Sequence, residues 1–212
     1  DAFLLSDFAA PRRKDLCCDL GTGCGIIPLL WFRDDPPRLC YGADIQKQAI
    51  EQLEQSIQKN GLKNRFIPLL TDLKELSSLP CGPLDLVTCN PPYKAQGSGI
   101  LSETDAERIA RREVLCTIED VSKAASRLLR FGGRLCLCQR PERLCDTLCA
   151  MRSAGIEPKR VRFVQQRPAS APWLFLVEGK KGSKPYMTIE PPLLVEGEGG
   201  FSQEILRIYH KK

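Results

Sequence analysis

The four consecutive residues Asn90, Pro91, Pro92 and Tyr93 are the part of this chain best suited to chemistry. They follow the apolar run Leu84–Cys89, which predicts a buried strand, and the prolines must end it because neither can donate a ladder hydrogen bond. Asn90 and Pro91 offer oxygens that accept hydrogen bonds, Pro92 fixes the turn, and Tyr93 offers a ring for stacking. In open α/β sheets, ligands bind at the carboxyl ends of strands. The cluster therefore predicts a site for a flat group that carries an amine.

A glycine-rich turn precedes this cluster, with Gly21, Gly23 and Gly25 at every second position after Asp19. Glycines let the backbone approach a ligand closely and adopt positive φ. The third glycine comes one position too early for the dinucleotide pattern, and no Gly-Lys-Ser/Thr follows as in a P-loop. The spacing therefore argues against a dehydrogenase and against a P-loop nucleotide site.

Two aspartates follow neighbouring predicted strands. Asp44 lies nineteen residues after Gly25 and could accept hydrogen bonds from both ribose hydroxyls of an adenosine; the alternative is an ordinary turn residue. Asp72 could accept from an adenine amine, or it could cap a following helix. Both interpretations of Asp72 stay open at this point.

Length and composition are consistent with one α/β domain covering residues 1–212, in which residues 184–212 extend the sheet or form a tail. The chain has 212 residues, 42% of them hydrophobic, and no apolar run approaches the roughly 20 residues that span a membrane. It begins at Asp1 without a Met, so we expect that the natural N-terminus is missing.

Eleven cysteines raise the question of metals and disulfides. There is no pair of C-x-x-C motifs, and His210 is the only histidine, so we expect neither a metal site nor disulfides. Buried free cysteine behaves as a small hydrophobe, and reduced thiols are typical of a reducing, cytoplasmic compartment. Six cysteines lie in apolar, strand-like runs: Cys17, Cys18, Cys40, Cys89, Cys136 and Cys138.

Strand and helix patterns alternate along most of the chain, which predicts a Rossmann-like, doubly wound α/β fold. The last two strands follow each other without a helix, so we expect a mostly parallel seven-stranded sheet with a C-terminal antiparallel hairpin. Pro68 places the third strand at an edge, and a last strand-like piece spans Ile205–Tyr209. The seven predicted strands are Leu16–Leu20, Leu39–Ala43, Arg65–Leu69, Leu84–Cys89, Arg134–Gln139, Val161–Val164 and Trp173–Val177.

Positive charge is concentrated after the Asn-Pro-Pro-Tyr cluster. The formal net charge is +5, and Lys94–Arg167 holds 15 basic against 9 acidic residues. A basic surface attracts phosphates, although a solvated basic face is the alternative. The candidate phosphate-binding residues are Arg108, Arg111, Arg112, Lys123, Arg140 and Arg143.

Taken together, the glycine turn, Asp44 and the Asn-Pro-Pro-Tyr cluster resemble class I S-adenosylmethionine-dependent methyltransferases that modify amino groups. The resemblance covers Asp1–Val177. It implies S-adenosylmethionine as cofactor and no metal, with Asp44 at the ribose and Thr71–Asp72 at the adenine. The cofactor-binding residues that it implies are Asp19, Gly21, Thr22, Gly23, Gly25, Asp44, Ile45, Thr71, Asp72 and Asn90.

Within that superfamily the chain is similar to the tRNA1(Val) adenine-37 N6-methyltransferases. The similarity is carried by the opening Asp1–Leu5 and by Arg134–Arg143, besides the motifs above. It implies methylation of adenine N6 in an anticodon loop and a tRNA partner. We expect the enzyme to be a monomer. The segment that this family carries before Asp1 is missing here.

Three other functions remain open from the sequence. The same four residues occur in enzymes that methylate a glutamine side chain of release factors, and a ribosomal RNA methyltransferase would carry similar charge. The third is a catalytically silent protein that binds cofactor and RNA. The basic surplus favours RNA because phosphates supply most non-specific affinity. Intact Asn90 and Tyr93 argue for catalysis.

Overall fold

The computed structural model describes residues 1–91 and 116–210. Its strands are β1 (Leu16–Leu20), β2 (Leu39–Asp44), β3 (Phe66–Leu70), β4 (Leu84–Cys89), β5 (Leu129–Gln139), β6 (Ile156–Gln165), β7 (Leu174–Lys181), β8 (Thr188–Ile189), β9 (Leu193–Leu194), β10 (Glu196–Gly197) and β11 (Gly200–Phe201). Its helices are α1 (Ala2–Ala9), α2 (Ile26–Arg33), α3 (Lys47–Lys59), α4 (Ile118–Leu128), α5 (Leu144–Ser153) and α6 (Gln203–Tyr209), with a 3₁₀ turn at Pro141–Arg143.

The sheet has the order β3-β2-β1-β4-β5-β7-β6, and β3 lies at the edge as predicted. The five strands from β3 to β5 pair in parallel, and β7 runs antiparallel between β5 and β6. The predicted doubly wound sheet with its antiparallel hairpin is confirmed. Two short strands, β8 and β9, extend the sheet beyond β6, with which both pair in parallel. We call the edge at the carboxyl ends of β1 to β5 the upper edge, and the opposite one the lower edge.

Helices cover both faces of the sheet, which makes a three-layer core. On one face α4 and α5 pack through residues such as Val121 and Met151, and on the other α1, α2, α3 and α6 pack through residues such as Leu5 and Leu53. All eleven cysteines are free, and the six predicted to lie in strands are buried. Among residues 1–91 and 116–210, no helix is long and apolar enough to cross a bilayer, and no cluster of potential metal ligands occurs.

A capping box of Thr117 and Asp120 begins α4: Asp120 N–H donates to Thr117 Oγ1 at 3.2 Å, and Thr117 N–H donates to the Asp120 carboxylate at 3.0 Å. Several strand boundaries differ from expectation: β6 starts at Ile156 rather than Val161, and β7 continues to Lys181 rather than Val177. β5 starts at Leu129 rather than Arg134, because Gly133 lets the strand pass close to the neighbouring backbone; a Cβ there would lie 2.9 Å from Leu84 O.

The predicted strand at Ile205–Tyr209 is wrong, because this segment forms α6. Ser202 caps the helix, its Oγ accepting from Ile205 N–H at 3.2 Å. Ile205 and Ile208 are buried three residues apart, which is helical spacing. The branched and aromatic composition suggested a strand, but tertiary packing decided the conformation.

An ionic cluster lies beneath the carboxyl end of α1. Glu178 in β7 is 5% exposed, and its Oε2 lies 3.0 Å from Arg134 Nη1 and 3.2 Å from Arg160 Nη2. Both arginines also reach the end of α1: Arg134 donates to the Ala9 carbonyl at 2.9 Å and Arg160 to the Phe8 carbonyl at 2.6 Å. The cluster therefore satisfies its own charges and anchors α1 on the sheet.

Candidate active site

The glycine turn after β1 opens into the crevice at which the strand order reverses, between β1 and β4. Gly21, Gly23 and Gly25 all have positive φ, of 67°, 57° and 84°. A Cβ on Gly21 or Gly23 would meet nothing within 4 Å, whereas one on Gly25 would lie 2.5 Å from Leu53 Cδ1. Gly25 is therefore required by packing, and Gly21 and Gly23 leave open backbone that a ligand can approach.

Asp44 ties the glycine turn to the end of β2. Its carboxylate accepts from Gly23 N–H and from Gln46 N–H, both at 2.8 Å, and the residue is 6% exposed. Each carboxylate oxygen retains a further lone pair. The next residue, Ile45, is 48% exposed. A carboxylate beside an exposed apolar side chain fits the ribose and the adenine of an adenosine.

Asp19 places a buried carboxyl group under the same turn. It is 1% exposed, and Thr88 donates to its Oδ1 at 2.7 Å. Burial raises the pKa of Asp19, the hydrogen bond from Thr88 lowers it and the charge of Asp44 raises it again, which leaves the pKa at about 7. Thr22 Oγ1 is itself buried without a hydrogen bond of ordinary geometry to any described residue. This unsatisfied polar pocket suits a cofactor that carries positive charge and hydrogen-bonding groups, as S-adenosylmethionine does.

Thr71 and Asp72 follow β3 at the same edge. Thr71 N–H donates to the Asp44 carbonyl at 3.0 Å, which brings this turn beside the predicted ribose acid. Asp72 Oδ1 accepts from Lys74 N–H at 2.9 Å within a turn. No helix begins between β3 and β4. The helix-cap alternative for Asp72 is therefore wrong, while its role toward adenine stays a prediction.

Asn90 lies immediately after β4, at the upper edge. Its Oδ1 accepts a hydrogen bond from the Cys138 thiol in β5, with the two heavy atoms 3.0 Å apart. Cys138 is fully buried, and burial raises the pKa of its thiol, so the sulfur keeps the proton that it donates. Pro91 is buried beside Asn90. The site thus has a carboxamide oxygen whose position is fixed from behind.

Several predicted residues lie outside the described part of the chain: Pro92, Tyr93, Arg108, Arg111 and Arg112. The other three phosphate-binding candidates are placed. Arg140 follows β5 at the upper edge and donates to the Trp173 carbonyl at 3.0 Å, and Arg143 lies 3.4 Å from Asp146. Lys123 is exposed in the middle of α4.

Much of the basic surplus is used inside the protein. Seven arginines of the described residues 116–167 pair with carboxylates: Arg130, Arg134, Arg143, Arg152, Arg160, Arg162 and Arg167. Arg127 instead donates to the carbonyls of Leu73, Lys74 and Leu76. Charge counted along the sequence therefore overstates the charge that a nucleic acid would meet.

Two residues in contact with the site escaped the sequence reasoning. Thr88 could have been noticed as a polar side chain inside an apolar strand, two residues before Asn90. Cys138 carried no signal, because it was one of six cysteines in similar apolar runs. Its contact with Asn90 depends on the parallel pairing of β4 with β5, in which Cys89 lies opposite Leu137.

The family model for the methyltransferase small domain matches residues 1–148, which is more than half of the chain. The chain belongs to the methyltransferase small domain family. The prediction of an S-adenosylmethionine-dependent methyltransferase is thereby confirmed at the level of the family, and the open glycine backbone, Asp44 and the pocket around Asp19 fit such a cofactor.

Named relatives narrow the comparison. The chain is 27% identical to the tRNA1(Val) (adenine(37)-N6)-methyltransferase of Parabacteroides distasonis over 179 residues, which cover 84% of this chain and 74% of that protein. Proteins with the same name match from Porphyromonas gingivalis, at 28% identity over 76% of this chain and 64% of theirs, and from Histophilus somni, at 28% over 64% and 57%. The chain thus spans less than two thirds of the length of the last two relatives.

Solved structures resemble this chain in fold. A predicted O-methyltransferase from Agrobacterium tumefaciens superposes with a TM-score of 0.77 and 21% identity, covering 100% of this chain and 96% of that one. M. capricolum TrmK, solved with S-adenosyl-homocysteine, superposes with a TM-score of 0.57 and 13% identity, covering 88% of this chain and 69% of its own. At these identities the likeness shows the shared Rossmann-like fold alone.

Proposed function

We propose that this protein transfers a methyl group from S-adenosylmethionine to N6 of an adenine in RNA, and that the adenine is position 37 of tRNA1(Val). The observation that carries the proposal is the Asn90 carboxamide oxygen, held by Cys138 at a strand end beside the open glycine turn. The names of the relatives support the choice of adenine and of tRNA.

The residues of the upper edge have distinct tasks toward the cofactor. Asp44 would accept from the ribose hydroxyls, Ile45 would cover one face of the adenine, and Gly21 and Gly23 would admit the rest of the molecule. Asp19 would face its positive charge. S-adenosylmethionine supplies an electrophilic methyl group on its sulfonium, so the remaining task of the protein is to position the acceptor nitrogen and to make it a better nucleophile.

The acceptor requires help because the lone pair of an adenine amine is delocalised into the ring. Asn90 Oδ1 and the Pro91 carbonyl could each accept one N–H bond of that amine. Two acceptors aimed at the amine favour the pyramidal geometry and the positive charge that develop on nitrogen, which is electrostatic preorganisation. Tyr93 would stack on the base, a contact worth roughly 1–3 kcal/mol at other base-binding sites.

No strong general base is required, since the product nitrogen becomes acidic only after methyl transfer. His210, the one histidine of the chain, ends α6 and lies 3.2 Å from Asp34 rather than beside Asn90. The target base must leave its stack to reach the site, which costs less in a loop than in a paired stem. An anticodon loop is therefore a suitable source of the adenine.

The test uses unmodified transcripts of tRNA1(Val) and S-adenosylmethionine with a tritiated methyl group. We expect label only as N6-methyladenosine, and none when adenine 37 is replaced by guanine. Asn90→Ala should lower methyl transfer by a factor on the order of 10²–10³ while binding of S-adenosylmethionine, measured by calorimetry, changes little. Asn60→Ala, at an exposed helix end, is the matched control.

Two outcomes would contradict the proposal. Wild-type turnover by Asn90→Ala would remove the mechanism. Label in a release factor instead of RNA, with both offered in the same reaction, would favour the glutamine alternative.

A further inference from the structure

A second exposed surface lies at the lower edge of the sheet, away from the site. It consists of Phe131 in β5, Lys159 in β6, Lys180 in β7, and Lys184 and Tyr186 in the segment that follows β7. We call these five residues the lower-edge patch. Neither the cofactor site nor the ionic cluster under α1 includes any of them.

Direct contacts join most members of the patch. The Phe131 ring lies against the backbone of Gly182, where an added Cβ would be 2.2 Å from the ring. Lys159 Nζ donates to the Lys184 carbonyl at 3.1 Å and lies 5.6 Å from the centre of the Tyr186 ring. Lys180 begins the same turn, its carbonyl accepting from Ser183 N–H at 3.4 Å. The residues therefore form one continuous surface.

The patch exposes two aromatic rings to solvent. Phe131 is 77% exposed and Tyr186 is 74% exposed, the highest values among the large hydrophobic side chains of the described residues. Exposed aromatic side chains are the platforms on which unpaired bases stack, and a nearby cation strengthens such contacts.

The lysines of the patch differ from most of the arginines in residues 116–167. Within the described residues, Lys159, Lys180 and Lys184 form no ion pair with a carboxylate, whereas seven arginines between residues 116 and 167 do. The Lys159 ammonium lies beside the exposed Tyr186 ring, and Lys180 and Lys184 add two further lysines without a carboxylate partner to the same surface. Such a surface is complementary to phosphates and bases.

We propose that the lower-edge patch binds RNA, and that it contacts the body of the tRNA whose anticodon loop enters the upper edge. This inference rests on the proposed function for the identity of the RNA. Lys159 lies six residues before the end of β6, so at roughly 3.3 Å each it lies about 20 Å from the carboxyl end of that strand. An RNA whose loop enters the site can therefore extend its stem, and the body beyond the stem, toward the patch.

The test compares a triple variant with a matched control of equal charge change. Lys159→Ala, Lys180→Ala and Lys184→Ala are combined in one protein. Arg38→Ala, Lys59→Ala and Lys63→Ala, all at exposed positions outside the patch, are combined in the other. Binding of intact tRNA and of an anticodon stem-loop is measured by fluorescence anisotropy over a salt series. We expect the first variant to lose affinity for intact tRNA by at least about tenfold, with a salt slope lower by roughly 2–3.

The stem-loop, which offers the patch fewer phosphates, should lose less affinity in the triple variant than intact tRNA does. Thermal unfolding of both variants should match that of the wild type. The double variant Phe131→Ala and Tyr186→Ala should also bind intact tRNA more weakly. The loss should be clearest at high salt, where the lysine contacts are screened. Unchanged tRNA affinity in the triple variant would overturn the inference, as would an equal loss for the stem-loop. Because binding is measured without turnover, tRNA that binds through the patch yet is never methylated would contradict the proposed function alone.

Discussion

Two buried carboxylates in the same sheet have opposite surroundings. Glu178, 5% exposed, lies within 3.2 Å of two guanidinium groups, and the ends of those arginines also fix α1. Asp19, 1% exposed, receives one hydroxyl hydrogen bond from Thr88, and burial raises its pKa to about 7. Among the residues that the structure describes, two arginines compensate the first charge, and no cationic side chain pairs with the second.

This difference separates a structural cluster from a binding site. A buried charge without a partner lowers the stability of the fold. Such charges are found at binding sites, where a ligand of opposite charge can pair with them. Around Asp19 the other groups are also incomplete, since Thr22 Oγ1 has no described partner and Gly21 and Gly23 leave open backbone. The ionic cluster should therefore respond to mutation through stability, and the glycine-turn site through ligand binding.

The largest effect on stability is expected for Glu178→Gln. The substitution leaves Arg134 and Arg160 together without their shared carboxylate, and removing one member of a buried ionic group costs about 3–5 kcal/mol. Urea unfolding measures the loss, with Glu198→Gln at an exposed position as the control. A loss below about 1 kcal/mol would mean that the cluster is not compensated in the way its geometry indicates.

Asp19→Asn should change the pH dependence of stability in the opposite sense to an ion-pair loss. The folded pKa is raised from 3.8 to about 7, so between these values the folded state holds a proton that the unfolded state has released. Wild-type stability is therefore lost as pH rises from about 4 to 7 and is level above, and the asparagine variant lacks this loss. The variant should gain up to about 4 kcal/mol relative to wild type over that range.

Thermal unfolding at a series of pH values measures this gain as the difference between the two proteins. Saturating S-adenosylmethionine should reduce the difference, because its positive charge stabilises ionised Asp19 in the wild type only. A constant difference from pH 4 to 8 would show that Asp19 is already compensated, like Glu178.

Gly25→Ala and Gly23→Ala should separate the two kinds of behaviour within one turn. Both positions have positive φ, so each alanine costs about 1 kcal/mol of strain. Only at Gly25 does the added methyl group collide with Leu53, which adds roughly 1–3 kcal/mol. Gly25→Ala should therefore lower the stability more, which denaturation measures. Gly23→Ala should lower the affinity for S-adenosylmethionine more, which calorimetry measures. Equal losses of stability would contradict the open space beside Gly23.

Sequence patterns predicted the elements with strong periodicity and clear breakers, such as the strand before Asn90 and the edge strand with Pro68. They failed at Ile205–Tyr209, where composition favoured a strand and burial of Ile205 and Ile208 required a helix. The residues that follow strands were predictable because parallel strands bring their carboxyl ends together. The surroundings of Asp19 and Asn90 were not, since they depend on which strands become neighbours.

The charge count was the sequence feature that predicted the structure least well. The surplus in Lys94–Arg167 predicted a phosphate-binding face, but most of its described arginines pair with acids far away in sequence, such as Arg134 with Glu178 and Arg162 with Glu204. A count along the chain cannot show such pairing. The unpaired lysines at Lys180 and Lys184 lie outside the segment that the count selected.

The smallest predicted effect concerns Cys138, which acts on Asn90 rather than on substrate. Its thiol donates to Asn90 Oδ1, so that this oxygen, rather than the amide nitrogen, is held at the position that accepts from an amine. Cys138→Ala removes the donor and should lower kcat by about tenfold, equivalent to one hydrogen bond of about 1.4 kcal/mol, with KM for S-adenosylmethionine nearly unchanged. Cys138→Ser keeps a donor of similar size and should restore most of kcat. Equal losses in both variants would show that Cys138 contributes packing alone. Its contact with Asn90 would then be structural, like the ionic cluster of Glu178, Arg134 and Arg160, and would not belong to the ligand site.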